Sequence, residues 1–198
     1  IAAQGFYAVL PDLYYRLGTH RFNLANRTEK MTEMILAAWH SLSNADVVHD
    51  TKALLDMLGD DAAASDGPMG SVGYCMSGAF VTAVAGSFPD RFAANVALYG
   101  VWIVTDKPDS PHLLAPQIKG EMYYAFAEHD PWVPEGLTDD LAATLTKNGV
   151  PHEIETFSGT EHGFAFPERE VYHESSAEIV CRSAAAPHAA PEPRAAAA

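Results

Sequence analysis

The chain has 198 residues, of which 48% are apolar and 19% charged, with a formal net charge of −14. That is enough for one domain with a sizeable core, and a surface this acidic repels phosphate backbones and anionic headgroups, which argues against nucleic acid and membrane surfaces as partners. There is no run of about 18 apolar residues to cross a membrane and no signal-peptide pattern at the start. Two cysteines, Cys75 and Cys181, lie far apart without metal-type spacing, so no disulfide framework is expected and a reducing cytoplasm is the expected compartment.

In chain order, the opening Ile-Ala-Ala-Gln-Gly reads as the end of a helix feeding a strand, so the sequence is expected to begin inside a longer protein. Residues 6–10, an apolar run closed by Pro11 and Asp12, predict a buried strand. Residues 15–28 lack a period and read as loop. Met31, Met34, Ile35, Ala38, Trp39 and Leu42 fall on one helical face, and such a stripe predicts core packing. Asn44 or Asp46 is the expected cap of a second helix, carrying Val47, Leu54, Leu55 and Leu58 and stopping at Gly59. After a turn at 65–68, residues 70–74 predict a strand that ends at Cys75, followed by a helix through Phe88. Further strands are predicted at 95–99, 121–127 and 153–157. A helix capped by Thr138, with Leu141 and Leu145 inward and Gly149 as its stop, precedes the last of them. From 183 to 198 the residues are almost only Ala, Pro, His and Ser, which predicts a disordered tail. Strands alternating with helices favour a single α/β domain over 1–182, with a mostly parallel sheet flanked by helices.

The chemistry-bearing signal is Gly73-Tyr74-Cys75-Met76-Ser77-Gly78, between a predicted strand and helix. A nucleophile on such a strained turn needs small neighbours, because strand and helix must pass close together. A thiol at a helix N-terminus has its thiolate favoured, and the Met76 N–H is the candidate oxyanion donor. An elbow centred on Ser77 would put Cys75 and Ala79 at the tight positions, which disfavours it. Asp130 and His162 follow other predicted strands, and the order nucleophile, acid, histidine is that of α/β-hydrolases. Cys75 is thus the expected nucleophile, His162 the proton carrier and Asp130 its orienting carboxylate. Glu128 and Glu161 are weaker partners for His162, and His129 reads as a surface residue.

The blocks at 73–78, Ala127-Glu128-His129-Asp130-Pro131-Trp132-Val133-Pro134 and Glu161-His162-Gly163-Phe164, with 8–14 upstream, resemble the dienelactone hydrolase (carboxymethylenebutenolidase) family over about residues 1–180. The resemblance implies an α/β-hydrolase fold and cofactor-free hydrolysis of a small-molecule ester or lactone, such as a cyclic enol ester. Arg16 falls where the family's loop often supplies an arginine for a substrate carboxylate, and a solvated surface arginine is the other reading of it. Tyr99 and Trp102, after another strand end, are candidates to line the pocket or to pack in the core. Where the family usually has glycine this chain has Ser77, and it has Phe166 where some members carry a second carboxylate-binding arginine. The family's first strands, and the loop supplying a second oxyanion donor and a thiol-controlling glutamate, have no counterpart in these residues. Two other readings are a truncated or inactive α/β-hydrolase serving as a ligand-binding module, and a metal site built from Glu128, His129, Asp130, Glu161 and His162. The spacing of the last set matches no zinc motif.

Overall fold

The computed structural model describes all residues except 21, 23–25 and 186–198. Two short 3₁₀ helices, Ala2–Gln4 and Tyr15–Leu17, precede the first α-helices, α1 (Glu29–His40) and α2 (Asn44–Gly59). They are followed by β1 (Met69–Tyr74), α3 (Ser77–Ser87), β2 (Phe92–Leu98), a 3₁₀ helix (Pro111–Gln117), β3 (Glu121–His129), α4 (Leu137–Lys147), β4 (His152–Glu161) and α5 (Glu174–Ala185). The strands form one four-stranded sheet in the order β1-β2-β3-β4, and every neighbouring pair is parallel. This is the α/β architecture, a parallel sheet flanked by helices, that the alternating pattern predicts.

Side-chain alternation on β3 shows how the core is divided. Met122, Tyr124 and Phe126 face α3, the 3₁₀ helix and α4, among Val81, Ala115, Leu141 and Leu145. Tyr123, Ala125 and Ala127 face the opposite side, among Phe164, Ala177 and Val180. The two-residue period of a strand sends one set to each layer, and burial on both faces is why residues 122–127 read as an uninterrupted apolar run. Among the described residues, the buried side-chain polar groups of this core are paired, the Tyr99 hydroxyl excepted. Buried Asn95 accepts from the Ser71 hydroxyl at 2.7 Å and donates to the Glu121 carbonyl at 3.2 Å, clipping β1, β2 and β3 together.

α3 is buried on every side from Gly78 to Gly86, as befits a helix apolar all round. It lies between the sheet and α2, whose Val47 and Leu55 pack with Phe80 and Val84. The fit depends on small residues. A Cβ on Gly73 would lie 2.4 Å from the Ser77 carbonyl oxygen, and one on Gly78 would lie 2.5 Å from the Gly100 Cα. These contacts are closer than any side chain tolerates, so glycine sets how near α3 approaches β1 and the segment after β2.

Several sequence expectations are corrected. Residues 6–10 form no strand; they are exposed, Leu10 by 97%. A strand is held by ladder hydrogen bonds, and no described strand offers residues 6–10 a partner. The cap of α2 is Ser43, whose hydroxyl accepts from the Asp46 N–H while the Asp46 carboxylate accepts from the Ser43 N–H, a reciprocal box that removes two orphan donors. Gly136, at φ 80°, stands at the N-terminus of α4, so Thr138 lies inside that helix's first turn. Met34 is 47% exposed, so the methionine stripe of α1 is core only in part. α5 continues to Ala185, three residues beyond the expected domain edge, and the remainder of the expected tail lies outside the described residues.

Candidate active site

Three parallel strands end at the same side of the sheet, and a chemically active residue follows each one. Cys75 comes directly after β1, Asp130 directly after β3 and His162 directly after β4. Ligand crevices in open parallel sheets lie beyond these carboxyl ends.

The Cys75 turn is strained. Its φ is 55°, in the left-handed region that costs a residue with a side chain of the order of 1–3 kcal/mol. Hydrogen bonds hold it there. The Cys75 N–H donates to the Leu98 carbonyl at 3.0 Å, and its own carbonyl accepts from Gly78 at 3.0 Å and Val101 at 3.1 Å. Two further non-glycine residues have positive φ, Tyr99 at 38° and Trp102 at 58°, both in the segment after β2 that supplies the Val101 N–H. Strain among the described residues is therefore concentrated around this one point. Ser77, the alternative nucleophile, is the first residue of α3. Met76 caps that helix, and the first amides of a helix have no intrahelical acceptor, so its N–H is available as a donor beside Cys75.

Asp130 is enclosed, with its side chain 2% exposed, and uses both carboxylate oxygens. Oδ2 pairs with His162 Nδ1 at 2.7 Å, and Oδ1 accepts from the Trp132 backbone N–H at 3.0 Å. The amide bond fixes the carboxylate, which in turn fixes the imidazole. Burial alone would lower the His162 pKa, but hydrogen bonds to Asp130 and Cys75, with the charge on both, push it up to about 9. The imidazole edge meets the Tyr99 ring, with centroids 5.3 Å apart and planes at 66°. His162 is thus held between a carboxylate, a thiol and an aromatic face.

The structure brings Cys75, Asp130 and His162 together and sets Met76 beside them. The other sequence candidates fare differently. Arg16 is committed elsewhere, gripping Asp50 of α2 with two bonds of 2.6 Å, and that geometry gives no support to a substrate-binding role. Tyr99 is 1% exposed and packs behind His162 and Phe164 rather than lining an open pocket. Its hydroxyl is buried without a hydrogen-bond partner, and burial, with the charge on Tyr74 and Cys75, pushes its pKa up strongly. Trp102 is 36% exposed and stacks on Trp39. Glu128 accepts from the Gly159 N–H at 2.6 Å, tying the end of β3 to β4. Gly159, beyond the strand predicted at 153–157, lies within β4 at φ 71°, where the β3–β4 register shifts. This irregularity lets β4 run on to Glu161 and deliver His162 at its tip. Among the described residues no three His, Cys, Asp or Glu side chains gather as a metal-binding group.

Tyr14 was not singled out by sequence reasoning as a site residue. Its half-buried hydroxyl donates to the Met76 sulfur at 3.1 Å, and burial and the Cys75 charge push its pKa up. Its position in the upstream block at 8–14 was the available signal. Arg169, whose guanidinium lies against Gly163, carried no such signal.

The chain has the α/β-hydrolase fold: it superposes on the crystal structure of a "Putative Dienelactone Hydrolase" from Klebsiella pneumoniae with a TM-score of 0.71 at 19% identity, over 87% of this chain and 70% of that one. The sequence profile of the dienelactone hydrolase family matches residues 1–185, and the chain belongs to that family. Relatives include Protein usf of Aquifex pyrophilus, 30% identical over 169 residues, which are 85% of this chain and 68% of that protein. A carboxymethylenebutenolidase homolog of Mus musculus is 30% identical over 172 residues, covering 86% of this chain and 63% of the mouse protein. A hydrolase of lactones or esters is the class this membership supports.

Proposed function

We propose that this chain hydrolyses small carboxylic esters or lactones through a thioester on Cys75, with His162 and Asp130 completing a triad. The observation that carries the reading is the 2.7 Å Asp130–His162 pair facing a thiol on a positive-φ turn. A nucleophile, a proton carrier and an orienting group in mutual contact are the requirements of acyl transfer.

The reactive form carries the Cys75 proton on His162, an imidazolium that the pairing with Asp130 favours. The thiolate attacks the carbonyl carbon, and the developing oxyanion takes a hydrogen bond from the Met76 N–H. The bond between the acyl carbon and the alkoxy oxygen breaks, and the leaving oxygen takes the His162 proton. The neutral imidazole then removes a proton from water, whose oxygen attacks the thioester. The carbon–sulfur bond breaks, the acid leaves, and thiolate and imidazolium are restored. Asp130 stabilises the imidazolium in both halves.

The test is hydrolysis of p-nitrophenyl acetate and a small lactone panel by the unaltered chain, Cys75→Ala and Cys75→Ser. Loss of turnover in Cys75→Ala, with an acetyl adduct on Cys75 of the unaltered chain by mass spectrometry, is expected. Equal activity in all three proteins would overturn the nucleophile and leave a ligand-binding relative as the better description.

A further inference from the structure

All the tryptophans of the chain, Trp39, Trp102 and Trp132, meet in one cluster, although they lie far apart in sequence. Trp39, buried on α1, stacks on Trp102 with centroids 3.9 Å apart and planes at 21°. Trp132 stands edge-on to Trp39 at 5.9 Å and 71°. His40 lies parallel to Trp102 at 5.6 Å. Trp102 and Trp132 remain 36% and 45% exposed, so the buried indole supports a shelf that two half-open ones present to solvent.

The shelf is attached to the chemistry at two points. The Trp132 N–H is the one that holds Asp130 Oδ1. Trp102 directly follows Val101, whose N–H holds the Cys75 carbonyl. Trp102 itself sits at φ 58°, a conformation that favours glycine, and it is kept there with its large ring half out of the core. Lys107 places its ammonium 5.5 Å from the Trp102 ring centre, at the rim of the shelf.

We propose that Trp102 and Trp132, backed by Trp39, form the subsite that binds a flat aromatic ring of the ester substrate, so that the enzyme prefers esters bearing an aryl ring over those of equal bulk without one. This deepens the ester-hydrolase reading above and rests on it. An indole face or edge attracts another π-system through its quadrupole, beyond the area buried, whereas a saturated ring of similar size gains only the burial. The difference between the two is the signature of the shelf.

The experiment compares kcat/KM for benzyl acetate and cyclohexylmethyl acetate. Both release primary alcohols, so leaving-group chemistry is nearly matched and the flatness of the ring is the main variable. In the unaltered chain benzyl acetate is expected to lead by about two- to tenfold, the usual worth of an aromatic contact. The ratio falls towards unity in Trp102→Leu and in Trp132→Leu, and because it is taken within each variant, a partial loss of folded enzyme does not mimic the result. Cys75-dependent turnover with a ratio near one in the unaltered chain, or a ratio that survives both substitutions, would overturn the shelf and leave the hydrolase standing. Absence of Cys75-dependent turnover would instead remove the hydrolase reading. The shelf is then judged by tryptophan fluorescence of Cys75→Ala titrated with N-benzylacetamide. Saturable quenching that N-(cyclohexylmethyl)acetamide does not reproduce, and that Trp132→Leu abolishes, supports it; no saturable quenching overturns it.

Discussion

Residues 6–10 and residues 121–127 are both short apolar runs that read as buried strands, yet only the second is one. β3 has β2 on one side and β4 on the other, with core layers on both faces, and Met122, Tyr124 and Ala125 are fully buried. Phe6, Tyr7, Val9 and Leu10 remain in water at 54%, 50%, 42% and 97% exposure. An apolar run has a tendency to be extended and buried, but it becomes a strand only where a neighbour accepts its ladder bonds and a layer covers its face. The contrast extends to chemistry, because every group assigned a catalytic role stands in the sheet-anchored half.

The largest effects should therefore fall at the carboxyl ends of the strands. Asp130→Asn is expected to lower kcat by about a thousandfold or more, the scale seen when a triad loses its orienting carboxylate. The same variant has a pH signature. With His162 at about 9, activity that needs the imidazolium falls as pH rises through about 9. Removing the carboxylate charge lowers the histidine pKa, so the alkaline limb of the kcat/KM profile should move to lower pH; an unmoved limb would assign it to another group. The sign is the same for stability. A histidine raised in the folded state adds stability in full below its ordinary 6.5, and that contribution is lost as pH rises through about 9.

Next in size are changes to the packed layers. Leu141→Ala, at a fully buried site between α4 and β3, is expected to cost about 2–5 kcal/mol by chemical denaturation. Gly73→Ala is expected to cost about 1–3 kcal/mol, because the new Cβ would overlap the Ser77 backbone. Tyr99→Phe should come out close to neutral or slightly stabilising, since the hydroxyl it removes has no partner to lose. The smallest effect is expected from Leu10→Ser, within about 0.5 kcal/mol, as for exposed positions generally. A loss as large as that of Leu141→Ala would show that the opening segment is buried in solution and would erase the contrast.

The candidate site was more legible than the outer elements, for a local reason. The Cys75 turn needs glycine before it and small residues after it, and those constraints act over a few positions that a reader of the sequence can see. Asp130 was recognisable because it follows an apolar strand run, and His162 because Gly159 and Gly163 flank it after a predicted strand. The cap of α2 was legible in principle, since Ser43 and Asp46 have the spacing of a reciprocal box, but Asn44 and Asp46 are themselves good cap types and drew the assignment. Trp39, Trp132 and Tyr14 were not legible as site residues, because their partners lie on other elements and no spacing records the contact.

By itself the sequence determined the α/β class, the order of the four strands with α3 and α4 between them, the elbow at Cys75 and the family, because strand and helix periods and small-residue turns are short-range properties. Tertiary structure alone decided that Arg16 is taken by Asp50, that Tyr99 backs the imidazole instead of lining an open pocket, and that three distant indoles share one shelf. Each of these depends on which elements pack side by side. It decided also that residues 6–10 stay in solvent, since a strand is a relation between segments and no segment carries that relation in its own residues.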